Sequence, residues 1–248
     1  MTTPATTRAP ATDTLVIGGG VMGLFAARTL ARSGRRVRLI EARESSRGFD
    51  GGASRAGGGI LSPLTPWTES PLVQALAADS QARYPAIARH LAARTGIDTE
   101  YRRTGGLFVG DEAGRAMAAW CAEHQVAAAA VSGPELAALD PAVAADRAVH
   151  VPALAQVRNP RLLDALLVEV LAEGVAVEAG VRTRALVSRR GQVTGAVTDA
   201  GPRYASEVVV AAGAWSSQLL GAVGWTAQVR PVRGQMLWFA PFEGAPKH

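Results

Sequence analysis

Three glycines near the start of the chain have the spacing of a dinucleotide-binding loop. They are Gly18, Gly20 and Gly23, in the segment TLVIGGGVMG of residues 14–23. The first glycine permits a tight turn, the second lets the backbone approach a pyrophosphate, and the third lets a helix pack closely on the preceding strand. The free N–H groups and the dipole at the start of that helix favour an anion. The spacing therefore predicts that the phosphates of a dinucleotide bind here.

An acidic residue closes the next predicted strand. Glu41 follows the alternating segment of residues 37–40. A carboxylate at this position would accept hydrogen bonds from the ribose hydroxyls of an adenosine, and it would repel a 2′-phosphate. Glu41 therefore disfavours NADP and leaves NAD and FAD as alternatives.

A second glycine-rich stretch distinguishes these two cofactors. GGASRAGGGILSP, residues 51–63, stands where a simple NAD domain would begin its next helix. The glycines at 57–59 could bring backbone against a flat ring or a second phosphate without a side-chain clash, and Ser54 offers a hydroxyl. Residues 43–66 have the composition of a loop, and a long loop in a compact domain is usually functional. This stretch favours FAD.

The segments around these residues have the sequence pattern of a βαβ unit. Residues 13–17 are a short apolar run that ends in glycine, and residues 21–33 have the apolar spacing of a helix. Gly34 stands where a left-handed residue ends a helix. The strands on either side of the helix should pair in parallel.

Further elements follow along the chain. Helices are predicted at residues 71–94, 111–125, 132–141 and 160–173, and a strand or hairpin is predicted at 101–110. In the first of these helices the apolar face would include Leu72, Leu76 and Leu91. From Val175 the apolar period shifts toward two, which predicts successive strands with turns at 190–191 and 200–201. VRPVRGQMLWF, residues 229–239, also has the pattern of a strand.

The composition excludes several classes of function. The net charge is +5, but the arginines are scattered and aromatic residues are only 5% of the chain, so we expect no nucleic-acid partner. No apolar run could span a bilayer, and residues 1–13 lack the apolar centre of a signal peptide. The single cysteine, Cys121, excludes an internal disulfide and a multi-cysteine metal cluster. We expect no metal and a cytoplasmic location.

Six blocks of sequence, taken in order, resemble one family. The chain is similar to the D-amino-acid-oxidase-like FAD-dependent oxidoreductases, and most closely to the bacterial glycine oxidases of thiamine biosynthesis. The resemblance covers the chain from Asp13 to its end. The blocks are VIGGGVMGLFAARTLARSG, IEA, ASRAGGGILSP, RNPRLLDAL, VVVAAGAWS and VRPVRGQML.

The resemblance implies contacts with FAD beyond the three glycines of the loop. The implied positions are Val21 and Met22 at the pyrophosphate, Glu41 and Ala42 at the adenosine, Ala53 and Ser54 along the phosphates, Gly58, Gly59 and Ile60 beside the isoalloxazine, Arg184 at the adenine through its main chain, and Ala212 and Gly213 at a turn near the cofactor.

The resemblance also implies a reaction. A small amine of the glycine or sarcosine class would be oxidised to an imine, and dioxygen would be reduced to hydrogen peroxide. The imine would hydrolyse to glyoxylate or enter thiazole synthesis for thiamine. The flavin would carry the chemistry while the protein supplies orientation and electrostatics. The expected partners are a small amino-acid substrate and dioxygen, with a homo-oligomer as a possibility.

The family's substrate-binding arginine and tyrosine would lie beyond His248, so no catalytic residue is assigned and we expect a C-terminally truncated member. Two alternatives stay open: an FAD-binding fragment without activity, and a relative of D-amino-acid dehydrogenase or sarcosine oxidase. A flavin-free NAD-binding module is disfavoured by the second glycine-rich stretch.

The resemblance implies an α/β fold, α+β overall. A Rossmann-like FAD-binding domain would be interwoven with an antiparallel-sheet substrate domain whose C-terminal part is missing. The expected division is a disordered tail at 1–12, the FAD-binding domain at 13–96 and 151–222, the substrate domain at 97–150, and the first returning substrate-domain strands at 223–248.

Overall fold

The computed structural model describes residues 12–43, 52–61, 65–226 and 228–237. Its helices are α1 Val21–Arg32, α2 Gly52–Ala56, α3 Pro71–Thr95, α4 Asp111–Glu123, α5 Gly133–Leu139, α6 Asn159–Ala172 and α7 Ser216–Gly221. Its strands are β1 Thr14–Ile17, β2 Val37–Glu41, β3 Leu107–Val109, β4 Ala129–Ser132, β5 Arg147–His150, β6 Ala176–Ala179, β7 Thr183–Arg189, β8 Gln192–Thr198, β9 Gly201–Tyr204 and β10 Glu207–Val210.

The chain divides into two compact units. The first unit contains Met1–Gly57, Arg94–Ile97 and Asn159–Gln235. The second unit contains Gly58–Ala93, Asp98–Arg158 and Met236–His248.

A parallel sheet in the order β10-β1-β2-β6 forms the centre of the first unit. Every residue of β1 is buried, as expected for a central strand covered on both faces. Ile17 is in register with Ile40 on one side and with Val210 on the other, so three strands end at one edge of the sheet. The predicted βαβ unit is confirmed. Gly34, with φ of 84°, follows α1 in the left-handed conformation.

An antiparallel sheet in the order β7-β8-β9 belongs to the same unit. The turn between β7 and β8 is at Arg190 and Gly191, which both have positive φ, and this prediction is confirmed. One hydrophobic core contains Leu15 and Ile40 of the parallel sheet together with Ala196 of the antiparallel sheet. The core thus joins the two sheets.

An ion-pair cluster links the same two sheets. Glu178 of β6 accepts hydrogen bonds from Arg38 of β2 and from Arg203 of β9, whose Nη2 lies 2.7 Å from Glu178 Oε2. These hydrogen bonds, with Arg203 contributing most, lower the pKa of the Glu178 carboxyl below its usual value.

The second unit contains the antiparallel sheet β3-β5-β4. β3 confirms the strand predicted at 101–110, whereas β4 and β5 were not predicted. Met117 and Cys121 of α4 form a core with Val151 and Leu154, which follow β5. The fold is therefore α/β, with one parallel sheet and separate antiparallel sheets, as the resemblance implied.

Two predictions for the part of the chain up to the end of α3 need correction. Residues 43–66 are not all loop, because 52–56 form α2. In α3, Leu91 is fully buried but Leu72 and Leu76 are 80% and 69% exposed. Apolar spacing shows which side chains share a face, but not whether another element reaches that face.

The strand predicted at 229–239 is wrong over its described part. Residues 229–237 contain no strand, and 238–239 lie outside the described residues. A strand requires a neighbour that exchanges backbone hydrogen bonds with it. Val229 instead bonds a side chain: its N–H donates to Ser217 Oγ at 3.1 Å, and the same hydroxyl donates to its carbonyl oxygen at 2.8 Å.

The compact units differ from the predicted domain boundaries at several places, and one of them is residues 223–235, which were predicted with the substrate-domain strands and fall in the first unit. Residues 58–93, which include most of α3, fall in the second unit, where Trp120 of α4 donates to Gln74 of α3. Residues 151–158 also fall there, because Val151 and Leu154 belong to the core around α4. Which unit binds cofactor and which binds substrate stays a prediction.

Candidate cofactor site

The glycine loop lies at the carboxyl edge of the parallel sheet, directly after β1. Gly18 has φ of 110°, and its N–H donates to the carbonyl oxygen of Ile40 at 2.8 Å. A Cβ on Gly18 would lie 2.3 Å from the carbonyl oxygen of Ala211. Both the conformation and the close approach of the backbone after β10 therefore require glycine here.

The other two glycines face different neighbours. A Cβ on Gly23 would lie 1.8 Å from the carbonyl oxygen of Gly18, so the first turn of α1 rests directly on the loop. A Cβ on Gly20 would instead meet Ser54 Oγ at 3.1 Å. Gly23 thus sets helix packing, and Gly20 leaves space on the side where Ser54 lies.

The N-terminus of α1 has the properties of an anion site. The helix begins at Val21, its N-cap Gly20 makes no side-chain capping bond, and its first turn contains no acidic residue. The Val21 N–H donates to Ser54 Oγ at 3.0 Å. The Ser54 hydroxyl thus accepts an N–H of the kind that a phosphate oxygen accepts at a helix N-terminus.

The carboxylate of Glu41 lies against the same loop. Its Oε2 accepts the N–H of Gly19 at 2.6 Å, and its Oε1 accepts the N–H of Arg43 at 2.9 Å. A carboxylate can accept about four hydrogen bonds, so both oxygens can still accept ribose hydroxyls. The strand end therefore places an acceptor for ribose beside a site for phosphate.

The other predicted positions of the first unit lie close to these residues in the chain or in space. Val21 contacts Ser54 through its backbone N–H. The next residue, Met22, is 72% exposed. Ala42 follows Glu41, and the exposed Ala53 precedes Ser54 in α2. Ala212 lies against Gly18, and Gly213, with φ of 56°, begins a short 3-10 turn.

Arg184 is connected to Glu41 only indirectly, through the main chain that precedes it. The N–H of Val181 donates to the carbonyl oxygen of Glu41 at 2.9 Å, and Arg184 follows three residues later in β7. Its exposed side chain lies 3.7 Å from Asp199, and its main-chain contact with the adenine stays a prediction.

Gly58, Gly59 and Ile60 belong to the second unit and are not grouped with the other residues by the structure. The carbonyl oxygen of Gly59 accepts the N–H of Val157 at 2.9 Å, and Ile60 forms an isolated bridge with Gln156. These contacts fix the segment within its own unit. The position of Gly58, Gly59 and Ile60 beside the isoalloxazine stays a prediction.

Sequence reasoning missed an aromatic and a cationic residue near Glu41. The guanidinium of Arg43 lies over the ring of Trp215, 5.7 Å from its centroid. The signal was present in the sequence, because Arg43 follows the strand of Glu41 by two residues and Trp215 follows the glycine turn after β10. Together they form a cation–π contact at the same edge of the sheet.

Ion pairs to α6 hold two of the helices around the loop. Arg28 of α1 donates through Nε to Glu169 Oε2 at 2.5 Å, and the Glu169 side chain is fully buried. Arg55 of α2 pairs with Asp164 of α6, and both of these side chains are partly exposed. No group of three or more His, Cys, Asp or Glu side chains within the described ranges is arranged to hold a metal ion.

Comparison with known proteins gives consistent matches. The family described as DAO, FAD dependent oxidoreductase, matches residues 13–248. The glycine oxidase of Pseudomonas putida is 39% identical over 232 residues, which are 91% of this chain and 61% of that protein. The bifunctional protein ThiO/ThiG of Synechocystis is 30% identical over 231 residues, 91% of this chain and 32% of its own length.

A solved structure is also similar. The crystal structure of glycine oxidase from Geobacillus kaustophilus matches with a TM-score of 0.76 and 28% identity, over 86% of this chain and 58% of that chain. This chain spans 61–62% of the length of the two Pseudomonas glycine oxidases that it matches.

Proposed function

Because the chain belongs to the DAO family of FAD dependent oxidoreductases, we propose that it binds FAD at the glycine loop and oxidises a small amine. The family resemblance seen in the sequence is confirmed, and FAD is the cofactor of the family. The observation that carries the proposal is the convergence on one loop of the α1 N-terminus, the Ser54 hydroxyl and the Glu41 carboxylate.

The residues of the first unit fit the adenosine diphosphate part of FAD. The Ser54 hydroxyl accepts the Val21 N–H and would donate its own hydrogen to a pyrophosphate lying at the backbone of Val21 and Met22, with Gly20 leaving room for the approach. Glu41 would accept the ribose hydroxyls. Ala212 and Gly213 would shape the turn near the cofactor, and the main chain at Arg184 would lie near the adenine.

FAD supplies a ring that accepts a hydride when it is bound. The residues of this chain would then bind and orient the cofactor, and Gly58, Gly59 and Ile60 are proposed to lie beside the ring. The chemistry at the amine is the removal of a hydride from the α-carbon and of a proton from the nitrogen, which yields the imine.

We propose glycine or sarcosine as the substrate class and dioxygen as the acceptor. Two electrons and two protons convert dioxygen to hydrogen peroxide. Relatives named glycine oxidase support the choice of a small amine, and a relative named ThiO/ThiG supports a role in thiazole synthesis. Assembly into a homo-oligomer and a cytoplasmic location are further proposals, the latter based on the single cysteine. None of the helices in the described part of the chain is both long and apolar enough to cross a membrane.

The decisive experiment is spectroscopic. The purified chain is reconstituted with FAD, freed of unbound flavin, and titrated with glycine without oxygen. We expect a bound-flavin absorption spectrum that bleaches as the amine reduces the flavin, and hydrogen peroxide once air is admitted. The matched control is L-lactate, which has a carboxylate but no amine and should not bleach the spectrum.

Two results would contradict different parts of the proposal. A spectrum that does not bleach with glycine or sarcosine would contradict the proposed amine-oxidase activity, and the chain would then be a flavin-binding protein. Absence of bound flavin after reconstitution would contradict the assignment of the glycine loop as an FAD site.

A further inference from the structure

The short helix α2 cannot set its own orientation. It contains five residues, and isolated helices shorter than about 12–15 residues are marginal in water. It nevertheless carries Ser54, whose hydroxyl accepts the N–H of Val21 at the start of α1. The position of this hydroxyl must therefore depend on what holds α2 from outside.

Helix α6 makes the contacts that hold α2. The Arg55 guanidinium, one residue after Ser54, pairs with Asp164 in the second turn of α6. Gly57, directly after α2, approaches the first residue of α6 so closely that a Cβ would lie 2.6 Å from Asn159 Nδ2. Successive residues of a helix point about 100° apart, so Ser54 can contact α1 while Arg55 contacts α6.

Helix α6 is itself anchored to α1. The buried Glu169 of α6 pairs with Arg28, which lies about two helical turns after the start of α1. Arg32 Nη1 lies 3.8 Å from Glu169 Oε1. Breaking a buried ion pair is strongly unfavourable, so this contact fixes the two helices to each other. Any element held by α6 is therefore held at a defined place relative to the N-terminus of α1.

We propose that Asp164 is a positioning residue for the cofactor phosphates: through Arg55 it holds α2 so that the Ser54 hydroxyl stays at the N-terminus of α1. This inference rests on the proposed FAD site. Asp164 acts through Ser54 rather than by its charge, since a carboxylate near the phosphates would on electrostatic grounds weaken the binding of an anion. Removing the Asp164 side chain should therefore weaken FAD binding if Asp164 acts by positioning Ser54. It should strengthen FAD binding if the Asp164 charge acts directly on the phosphates.

The test measures FAD affinity by quenching of flavin fluorescence in a double-mutant cycle. Asp164→Ala should raise the dissociation constant of FAD by about threefold to fivefold, as for loss of a partly exposed ion pair. Ser54→Ala should raise it by about tenfold or more, because a hydrogen bond to a charged group is lost. In the Ser54→Ala background, Asp164→Ala should cause no further loss, because the hydroxyl that it positions is absent.

Control variants separate positioning from general stability. Asp79→Ala removes an exposed ion pair with Arg83 in the second unit and should leave the affinity unchanged. Asp164→Glu keeps the charge and should restore most of the affinity. The melting temperature of each apoprotein is recorded, and Asp164→Asn replaces Asp164→Ala if the latter is not folded.

Each outcome bears on the inference. Affinity that is unchanged or tighter in Asp164→Ala, or a loss that adds fully to that of Ser54→Ala, would overturn it while leaving FAD binding intact. A wild-type chain that binds no FAD would overturn the proposed function, and the inference with it.

Discussion

At the scale of single residues, the three loop glycines differ in what lies next to them. Gly18 and Gly23 face backbone carbonyl oxygens, which cannot move without moving the strand or the loop. Gly20 faces the end of a serine side chain, which can rotate away. The same motif therefore contains positions that serve folding and a position that serves binding.

We predict that Gly23→Ala destabilises the protein as well as abolishing FAD binding. The new Cβ would lie 1.8 Å from the Gly18 carbonyl oxygen, and overpacking of this kind typically costs about 1–3 kcal/mol. Chemical denaturation of the apoprotein measures this loss. Gly221→Ala in α7, where a Cβ meets nothing within 4 Å, is the control. Equal stability of the Gly23 variant and wild type would contradict the prediction.

We predict the opposite pattern for Gly20→Leu. The side chain would displace the Ser54 hydroxyl and fill the approach of the pyrophosphate, so FAD binding should be lost. Folding should change little, because the first obstacle is a movable side chain. Flavin content after reconstitution and the melting temperature of the apoprotein measure the two effects. Normal flavin content in this variant would remove the glycine loop from the proposed site.

At the scale of elements, charged groups fix how helices and sheets pack. The pair of Arg28 and Glu169 joins α1 to α6, and Glu178 joins the parallel sheet to the antiparallel sheet. The first pair is almost fully desolvated, whereas the second cluster keeps contact with water. Their contributions should accordingly differ in size and in their response to pH.

For the buried pair, we predict that Glu169→Leu costs about 3–5 kcal/mol of unfolding free energy, because Arg28 is left buried without its carboxylate. The double variant Arg28→Met with Glu169→Leu should recover much of this loss, since no buried charge remains. Urea denaturation of both variants tests the prediction. A double variant as unstable as the single one would show that the packing of Glu169, and not its charge, is what matters.

For Glu178, we predict a contribution to stability that disappears in acid. Its pKa is lowered in the folded state, mainly by Arg203 and then by Arg38. The contribution is fully present above the ordinary value of 4.5 and is lost as the pH falls through the folded-state pKa. The melting temperature of Glu178→Gln should lie below that of wild type at pH 7, and the gap should close below pH 4.5.

A control variant tests this interpretation of the pH dependence. Glu112→Gln removes an exposed carboxylate from α4 in the second unit and should not reproduce the effect. A gap for Glu178→Gln that stays constant from pH 7 into acid would contradict the prediction.

The elements that the sequence predicted well are those with local signals. Gly34 and the Arg190–Gly191 turn need left-handed backbone, and the glycine loop needs close approach, so residue type alone reveals them. The helix α2 and its ion pair were not predictable in this way. Arg55 and Asp164 are 109 residues apart, and a Gly- and Ala-rich segment reveals no tertiary partner. The strand predicted at 229–239 failed for the related reason that a strand also needs a neighbour.

At the scale of the whole molecule, the candidate phosphate and ribose contacts belong to one compact unit. Gly18, Ser54 and Glu41 lie in the first segment of that unit, but Ala211, which lies against Gly18, and Asp164, which pairs with Arg55, belong to the segment that begins at Asn159. A site built from such distant segments is complete only when the unit is folded. Ligand binding should therefore stabilise this unit as a whole.

We predict that FAD raises the melting temperature of the chain. At a free concentration of about one hundred times the dissociation constant, binding contributes about 2.7 kcal/mol, which corresponds to about 5–10 °C for a protein of this size. Differential scanning calorimetry with FAD, and with riboflavin as a control that lacks the adenosine diphosphate, measures the shift. An equal shift with riboflavin would place the binding energy outside the glycine loop.

The buried thiol of Cys121 can report on opening of the second unit. It is the chain's single cysteine, it is 1% exposed in the core of the second unit, and burial raises its pKa, which keeps it in the unreactive thiol form. A thiol reagent can therefore modify it only when that core opens, so the rate of modification measures how often the second unit opens. The rate of flavin release would measure opening of the first unit, which contains the proposed FAD contacts. A single untagged sample can thus reveal whether the two units open together or in sequence.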